Sequence, residues 1–166
     1  LQEDVPDNAL KLAAAKALGA MGPESVRSRS SWVDHKKVRG NLELQRRLVI
    51  SLGQTKDEDA TKVLLDMLDH HEMSIVGAAA EALGQFSELE LKVRKKLFQE
   101  LLKSLMSVKS KKDVIPPDTI AQQWWNAVSA PLMTAMTALS GNKAKNPEEW
   151  QRFWNKNKKK NWDEEK

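Results

Sequence analysis

Apolar residues recur along this chain at the spacing of amphipathic helices. Leu44, Leu48 and Leu52 follow one another at four-residue intervals. After the acids of Asp57–Asp59, apolar residues recur at helical spacing at Ala60, Val63, Leu64, Met67 and Leu68. Because residues three and four apart share one face of an α-helix, both stretches are predicted to be helices. The short connection predicts an antiparallel pair, with the acids at the positive end of the second helix dipole.

The same pattern predicts a second pair of helices. Its first helix has small and aliphatic residues at helical spacing from Ile75 to Leu83, with Ser74 as the predicted N-cap. Ser87 and Glu90 form a capping box, which predicts the start of a longer helix. The core face of this longer helix comprises Val93, Leu97, Phe98, Leu101, Leu102 and Leu105.

The pattern is less regular on either side of these pairs. Residues 7–39 predict an irregular first repeat, because its first helix is clear but residues 23–39 are too polar to predict a full second helix. Residues 107–117 are predicted to be a loop, since they are rich in Ser and Lys and end in two prolines. Asp118 is the predicted N-cap of a helix that Pro131 is expected to kink or split.

The last predicted helix has a clear start and an aromatic face. Asn146 is a predicted N-cap and Pro147 occupies the first helical position, where its missing N–H costs nothing. One face of the helix carries large rings at Trp150, Phe153 and Trp154. We expect these rings to cover the open end of the structure as a C-terminal cap. The lysine-rich residues 156–166 are predicted to be a flexible basic tail.

A short phrase recurs where these helices are predicted to end. It reads Ala17-Leu18-Gly19, Ser51-Leu52-Gly53 and Ala82-Leu83-Gly84, with Ala138-Leu139-Ser140-Gly141 as a distant copy. The first three glycines are 34 and 31 residues apart, and a period of about 20 to 50 residues indicates stacked repeats. We therefore predict an all-α fold, a right-handed α-solenoid of antiparallel helix pairs. The predicted divisions of this single domain are 7–39, 41–70, 74–106, the loop 107–117, the C-terminal repeat and cap 118–155, and the tail 156–166.

The recurring phrase carries a family resemblance. Ala13–Gly19 and Ala78–Gly84 both contain Ala-Ala-x-Ala-Leu-Gly, and Leu48–Gly53 is a looser copy. Residues 7–106 thereby resemble HEAT-like repeats of the phycobilisome-lyase type. The resemblance implies an α-solenoid that acts as a scaffold for protein partners, with the second helix of each pair on the concave face.

The C-terminal part carries a second resemblance. Ala138–Gly141 followed by Glu149–Trp154 is similar to the Trp-rich closing segment of some exported bacterial HEAT-repeat proteins. Together with a chain that starts at Leu1 instead of Met, this favours an exported or periplasmic protein, with the cytoplasm as the alternative.

Composition narrows the possible chemistry. The chain has 166 residues and no Cys, which excludes disulfides, thiolate nucleophiles and Cys-ligated metals. It contains no apolar run long enough to cross a membrane. Residues 1–83 carry 11 basic and 13 acidic side chains, and residues 84–166 carry 16 and 10. The basic second half suggests an acidic partner, although a mildly basic surface also keeps proteins soluble.

The candidate binding residues lie on the longest predicted helix. Lys92, Lys96 and Lys103 recur on its side away from the core, with Lys95 beside them. The HEAT-like resemblance places this stripe in the concave groove, where it would bind an acidic peptide or protein. The alternative is an ordinary solvated face, because the same helix also carries Glu100.

Two tryptophans are further candidates for partner contact. Trp32 and Trp125 do not fall on predicted core positions, in contrast to the other tryptophans of the predicted helices. Tryptophan beside lysine is also typical of surfaces that stack on nucleic-acid bases. HEAT-like DNA-repair proteins are solenoids of this kind, so nucleic-acid binding is the alternative function.

Catalysis is not predicted. His70-His71-Glu72 is the one cluster with metal-ligating residue types, and His35 is the remaining histidine. A HEAT-like hydroxylase holds two irons with several His-Glu pairs, whereas this chain has one pair. A two-metal site needs ligands from several elements. We therefore expect no metal, no cofactor and no enzymatic activity, with a HEAT-like enzyme as the least favoured alternative.

Overall fold

The computed structural model describes residues 33, 38 and 40–164, and within these the chain is helical and contains no strand. A single 3₁₀ turn, Met67–Asp69, follows the second helix. The helices are α1 (Leu42–Gln54), α2 (Glu58–Asp66), α3 (Met73–Gly84), α4 (Leu91–Lys112), α5 (Thr119–Ser140) and α6 (Pro147–Asn157).

Helix α3 lies at the centre of the fold, between α1 and α5. Helix α2 packs beside α1 and α3, and α4 packs along α5 and against α6. One continuous apolar core runs through all of these contacts, from Val33 and Val38 to Trp162. This arrangement confirms the predicted all-α solenoid.

The glycines of the recurring phrase are contact points between helices. A Cβ atom on Gly53 would lie 2.7 Å from the Cα and the carbonyl oxygen of Ala82, and one on Gly84 would lie 3.0 Å from the Cα of Ala135. The backbones of α1 and α3, and of α3 and α5, can therefore approach closely only where the side chain is a hydrogen atom.

The prediction that each of these glycines ends its helix is confirmed for Gly84, the last residue of α3, and needs correction for Gly53. Helix α1 continues past Gly53 to Gln54. Among the described glycines, only Gly141 has a positive φ, of 71°, and its N–H donates to the Thr137 carbonyl oxygen at the end of α5. The distant fourth copy of the phrase thus contains a true left-handed helix end, and the copies that end at Gly53 and Gly84 contain packing glycines.

Three predicted helix starts are confirmed. Asp57, Asp118 and Asn146 each occupy an N-cap, and the side-chain oxygen accepts from a backbone N–H at 2.8–2.9 Å. Asn41 caps α1 in the same way at 3.0 Å.

Two predicted caps are wrong. Ser74 lies inside the first turn of α3, whose N-cap is Glu72, because His70 Nδ1 accepts the Glu72 N–H at 3.0 Å and directs the chain into the helix earlier. The Ser87–Glu90 capping box does not form, and no side chain caps α4. Instead, the turn that buries Phe86 delays the start of α4 until Leu91.

The predicted loop at 107–117 is also shorter than expected. Helix α4 continues to Lys112, because Val108 packs against the core and Lys109 pairs with Asp113 one turn further on. Pro131 does not split α5, which runs unbroken through it. Buried Val128 and Leu132 hold the helix on both sides of the proline.

The C-terminal aromatic residues cluster around one ring of α4, and we call this cluster the aromatic cap. One of its members, Trp162, was not predicted from the sequence. Rings surround Phe98 at centroid distances of 5.3–5.7 Å: Trp150, Phe153, Trp154 and Trp162. Trp162 is only 7% exposed and donates from Nε1 to the Asn157 carbonyl oxygen at 3.0 Å. The prediction of a flexible tail from residue 156 is therefore wrong as far as residue 164, because burial of this indole brings the chain back onto α4.

A buried arginine joins the same end of the molecule. Arg94 is 4% exposed and donates to the carbonyl oxygens of Leu89 at 2.9 Å and Leu139 at 3.1 Å. Its guanidinium also pairs with Asp163. Arg94 thus connects the start of α4, the end of α5 and the C-terminal segment.

Candidate functional site

Three of the predicted lysines form a row on α4. Lys92, Lys96 and Lys103 are all exposed, on the side of α4 opposite the buried Leu97 and Leu101. We call these three lysines the basic row. Lys92 and Lys96 form no ion pair with any described residue, and Lys103 Nζ lies 3.5 Å from a Glu100 carboxylate oxygen. The row therefore presents its positive charge to solvent.

The structure separates Lys95 from this row. Its Nζ donates to the Lys160 carbonyl oxygen at 2.5 Å and lies 5.5 Å from the centroid of a Trp162 ring. A cation held over an indole and bonded to the backbone contributes to packing of the C-terminal segment. Lys95 thus points toward the aromatic cap and away from the basic row.

Of the two candidate tryptophans, the structure describes Trp125. Trp32 lies outside the described residues. Trp125 is half-buried on α5, and Lys112 Nζ lies 4.9 Å from its ring centroid. A lysine already occupies one face of this indole.

A groove that the sequence did not predict lies next to the basic row. It has a volume of about 520 Å³ and lies between the 3₁₀ turn after α2, the second half of α4 and the start of α5. Its apolar lining comprises Leu65, Leu68, Val76, Val108, Ile120, Ala121 and Trp124. Its charged lining comprises Asp69, Glu100, Lys103, Lys111 and Asp118. Lys103 belongs both to the row and to the groove.

Large aliphatic side chains are exposed at the connection between α4 and α5. Val114 is 53% exposed, Ile115 91% and Ile120 64%. We call these three residues the apolar tip. Among the described residues, the one other large apolar side chain with comparable exposure is Leu42, at 43%. The feature of the sequence that could have indicated this tip is the Val-Ile pair, which lies inside a stretch that is otherwise typical of a polar loop.

Charged side chains next to the apolar tip form ion pairs with one another. Lys109 Nζ lies 2.5 Å from an Asp113 carboxylate oxygen and 2.9 Å from a Glu148 carboxylate oxygen. These hydrogen bonds, first to Asp113 and then to Glu148, raise the pKa of Lys109. The same contacts lower the pKa of both carboxyl groups below their ordinary values. Lys109 therefore links α4 to α6 and is not available to a ligand.

The histidine pair lies on the border of the groove. The rings of His70 and His71 stack with centroids 4.3 Å apart, and both residues line the cavity. Within the part of the chain that the structure describes, no group of three or more His, Asp or Glu side chains could hold a metal ion. None of the described helices is both long enough and apolar enough to cross a membrane.

Comparison with known protein families supports the repeat architecture. Residues 37–112 match the family model for HEAT repeats. The match ends where α4 ends, so that the apolar tip, α5 and the aromatic cap follow it. No curated protein sequence and no solved structure is significantly similar to this chain.

Proposed function

We propose that this chain is a non-catalytic protein-interaction module that binds an acidic segment of a partner protein along α4. The HEAT-repeat match supports the general class, because stacked helical repeats commonly present extended surfaces to protein partners. The finer assignment to the phycobilisome-lyase type of repeat rests on the Ala-Ala-x-Ala-Leu-Gly phrase and belongs to the same proposal.

The observation that carries the proposal is the exposed basic row. Lys92 and Lys103 are eleven residues apart in the sequence, which is about 16 Å along a helix axis. An extended peptide covers that distance with about five residues. The partner segment is therefore a short run containing two or three carboxylates, each facing one lysine of the row.

Selection from a library of random 16-residue peptides displayed on phage tests this function. We expect the enriched peptides to be rich in Asp and Glu. Their affinity, measured by fluorescence anisotropy, should fall at least tenfold when Lys92→Glu, Lys96→Glu and Lys103→Glu are combined, because three attractions become repulsions. The helical melting curve should move by only a few degrees, since exposed substitutions change stability by about 0.5 kcal/mol or less.

A matched variant separates local binding from net charge. Lys143→Glu, Lys158→Glu and Lys159→Glu change the total charge equally at exposed positions outside α4. This control should retain the wild-type affinity within about threefold, because separated exposed charges are largely screened at physiological salt. Equal losses in both triple variants would contradict the proposal.

The nucleic-acid alternative is tested with the same protein. A labelled 20-base-pair duplex at low salt should bind more weakly than the enriched acidic peptide. The duplex could instead bind tightly, with an affinity that falls steeply with salt concentration and is lost in the α4 triple variant. This result would contradict a protein partner and assign nucleic acid as the ligand.

A further inference from the structure

The apolar tip and the groove form the most unusual surface among the described residues. Three of the four exposed large aliphatic side chains among the described residues lie within seven positions, at Val114, Ile115 and Ile120. Ile120 also lines the groove, so the exposed tip adjoins the groove's apolar lining at this residue. Clustered exposed apolar surface of this kind marks an interaction site more often than single exposed residues do.

Packing of α5 does not require Ile120. The next residue, Ala121, is 7% exposed and makes the buried contact at this end of the helix, while Gln122 and Gln123 occupy the following exposed positions. The backbone N–H of Ile120 donates the N-cap hydrogen bond to the Asp118 side chain, and any residue except proline could supply this N–H. The isoleucine side chain is therefore available to a partner.

The α4 border of the groove is positive, because two lysines and one carboxylate, Glu100, line it. Lys103 and Lys111 are exposed there, and Lys111 forms no ion pair with any described residue. Glu100 faces Lys103 at 3.5 Å, so these two charges offset each other and Lys111 remains as the positive charge of this border. Asp118, at the start of α5, accepts the Ile120 N–H and keeps its negative charge. Asp69 lies on the opposite border, after α2.

We propose that the groove is an anchor pocket for an apolar side chain of the acidic segment, and that the apolar tip covers the residues next to this anchor. This inference rests on the proposed function, because the segment that crosses the basic row reaches the groove at Lys103. The volume of about 520 Å³ is within the range of about 300–1,000 Å³ typical of ligand pockets. The ligand is thus an acidic peptide that lies extended along α4 and carries one Leu, Phe or Trp anchor beside its carboxylates.

The test uses an enriched acidic peptide and three single variants of the full chain. Ile120→Ser and Ile115→Ser change exposed residues of the tip and should weaken peptide binding at least tenfold and threefold, respectively. Leu42→Ser removes an exposed aliphatic residue from α1 and should leave the affinity unchanged. Replacing the apolar anchor of the peptide by Ser should weaken binding to wild type at least tenfold and to Ile120→Ser much less.

A second readout does not depend on the variants. Methyl resonances of Leu68, Val76 and Val108, which line the groove, should shift when the peptide is added. These shifts should disappear with the peptide that lacks the anchor, even at saturating concentration.

Each failure has a distinct outcome. If replacing the acids of the peptide by Gln abolishes binding but the anchor and Ile120→Ser have no effect, the proposed function stands and the anchor pocket is overturned. If replacing the anchor weakens binding but replacing the acids of the peptide by Gln does not, the role of the basic row is overturned. Concentration-dependent dimerisation lost in Ile120→Ser would assign the tip to a second copy of the chain. The wild-type chain could also bind vesicles of seven parts phosphatidylcholine to three parts phosphatidylserine. Loss of this binding in Ile115→Ser would assign the apolar tip to a lipid surface. Either result, dimerisation or vesicle binding, would overturn the inference.

Discussion

Individual residues have roles here that their type alone does not reveal. Glycine, for example, is required at Gly53 for close contact between two helices and at Gly141 for a left-handed backbone. In the sequence, both end the same Leu-Gly or Leu-Ser-Gly phrase and look equivalent. The distinction depends on which helix crosses at that point, so neighbouring sequence cannot predict it.

A pair of alanine substitutions tests this assignment. Gly53→Ala should lower the free energy of unfolding by about 2–4 kcal/mol, because its Cβ would overlap the backbone of Ala82. Gly40→Ala has no atom within 4 Å of the new Cβ and should be neutral or stabilising by up to about 1 kcal/mol. Urea unfolding measures both. Equal effects at the two positions would show that the close approach of α1 and α3 is not needed.

Arg94 is a second residue whose role comes from tertiary contacts. Arg94→Met removes the donors to the Leu89 and Leu139 carbonyl oxygens and the partner of Asp163. We expect a loss of about 2–4 kcal/mol of unfolding free energy, since buried groups lose their hydrogen bonds. Arg46→Met, on α1, replaces a side chain that is 42% exposed and should change the same quantity by less than about 0.5 kcal/mol. Similar values for both would contradict a structural role for Arg94.

At the scale of elements, hydrophobic spacing was enough to predict the helices that the structure describes from Leu42 to Asn157, but their ends depended on other contacts. Helix α4 begins late because of the buried Phe86 and ends late because Lys109 pairs with Asp113. The connection from α4 to α6 was invisible in the sequence, since Glu148 is 39 residues beyond Lys109.

This connection predicts a pH dependence. The pKa values of Asp113 and Glu148 are lowered, so their stabilisation is present above the ordinary carboxyl pKa and is lost as pH falls through the lowered values. The pKa of Lys109 is raised, so its contribution is present below the ordinary lysine pKa and is lost as pH rises through the raised value. The ion pairs therefore stabilise the fold between about pH 5 and pH 10.

Thermal melting of wild type and Lys109→Met measures this contribution. The variant should melt at a lower temperature near pH 7, and the difference should shrink as pH falls through the lowered carboxyl pKa values, because protonation removes both negative charges. A constant difference across this range would assign the effect of Lys109 to packing of its aliphatic stem. Lys143→Met, at an exposed position, serves as the control.

At the scale of the whole molecule, the C-terminal segment packs back onto α4. Trp162 packs against Phe98 and completes the aromatic cap, although the surrounding lysines and asparagines predicted a solvated tail. The groove was equally unpredictable, because its lining comes from α2, α3, α4 and α5, which are far apart in the sequence. The basic row could be predicted because all three lysines lie on one helix.

Truncating the Trp162 side chain tests whether this residue holds the C-terminal segment on α4. Trp162→Ala should cost about 3–5 kcal/mol of unfolding free energy, as expected for a large buried aromatic residue. Trp125→Ala should cost less, because that side chain is only partly buried. Equal losses measured by urea unfolding would show that the C-terminal segment does not pack on α4 in solution.

The central claim is that partner proteins bind along α4. Its most direct test is the footprint of an enriched acidic peptide on the full chain, measured by amide chemical-shift changes at saturation. We predict the largest changes at Lys92, Lys96 and Lys103 and in the groove beside Lys111. A footprint confined to α1, or to the aromatic cap around Trp162, would contradict the claim.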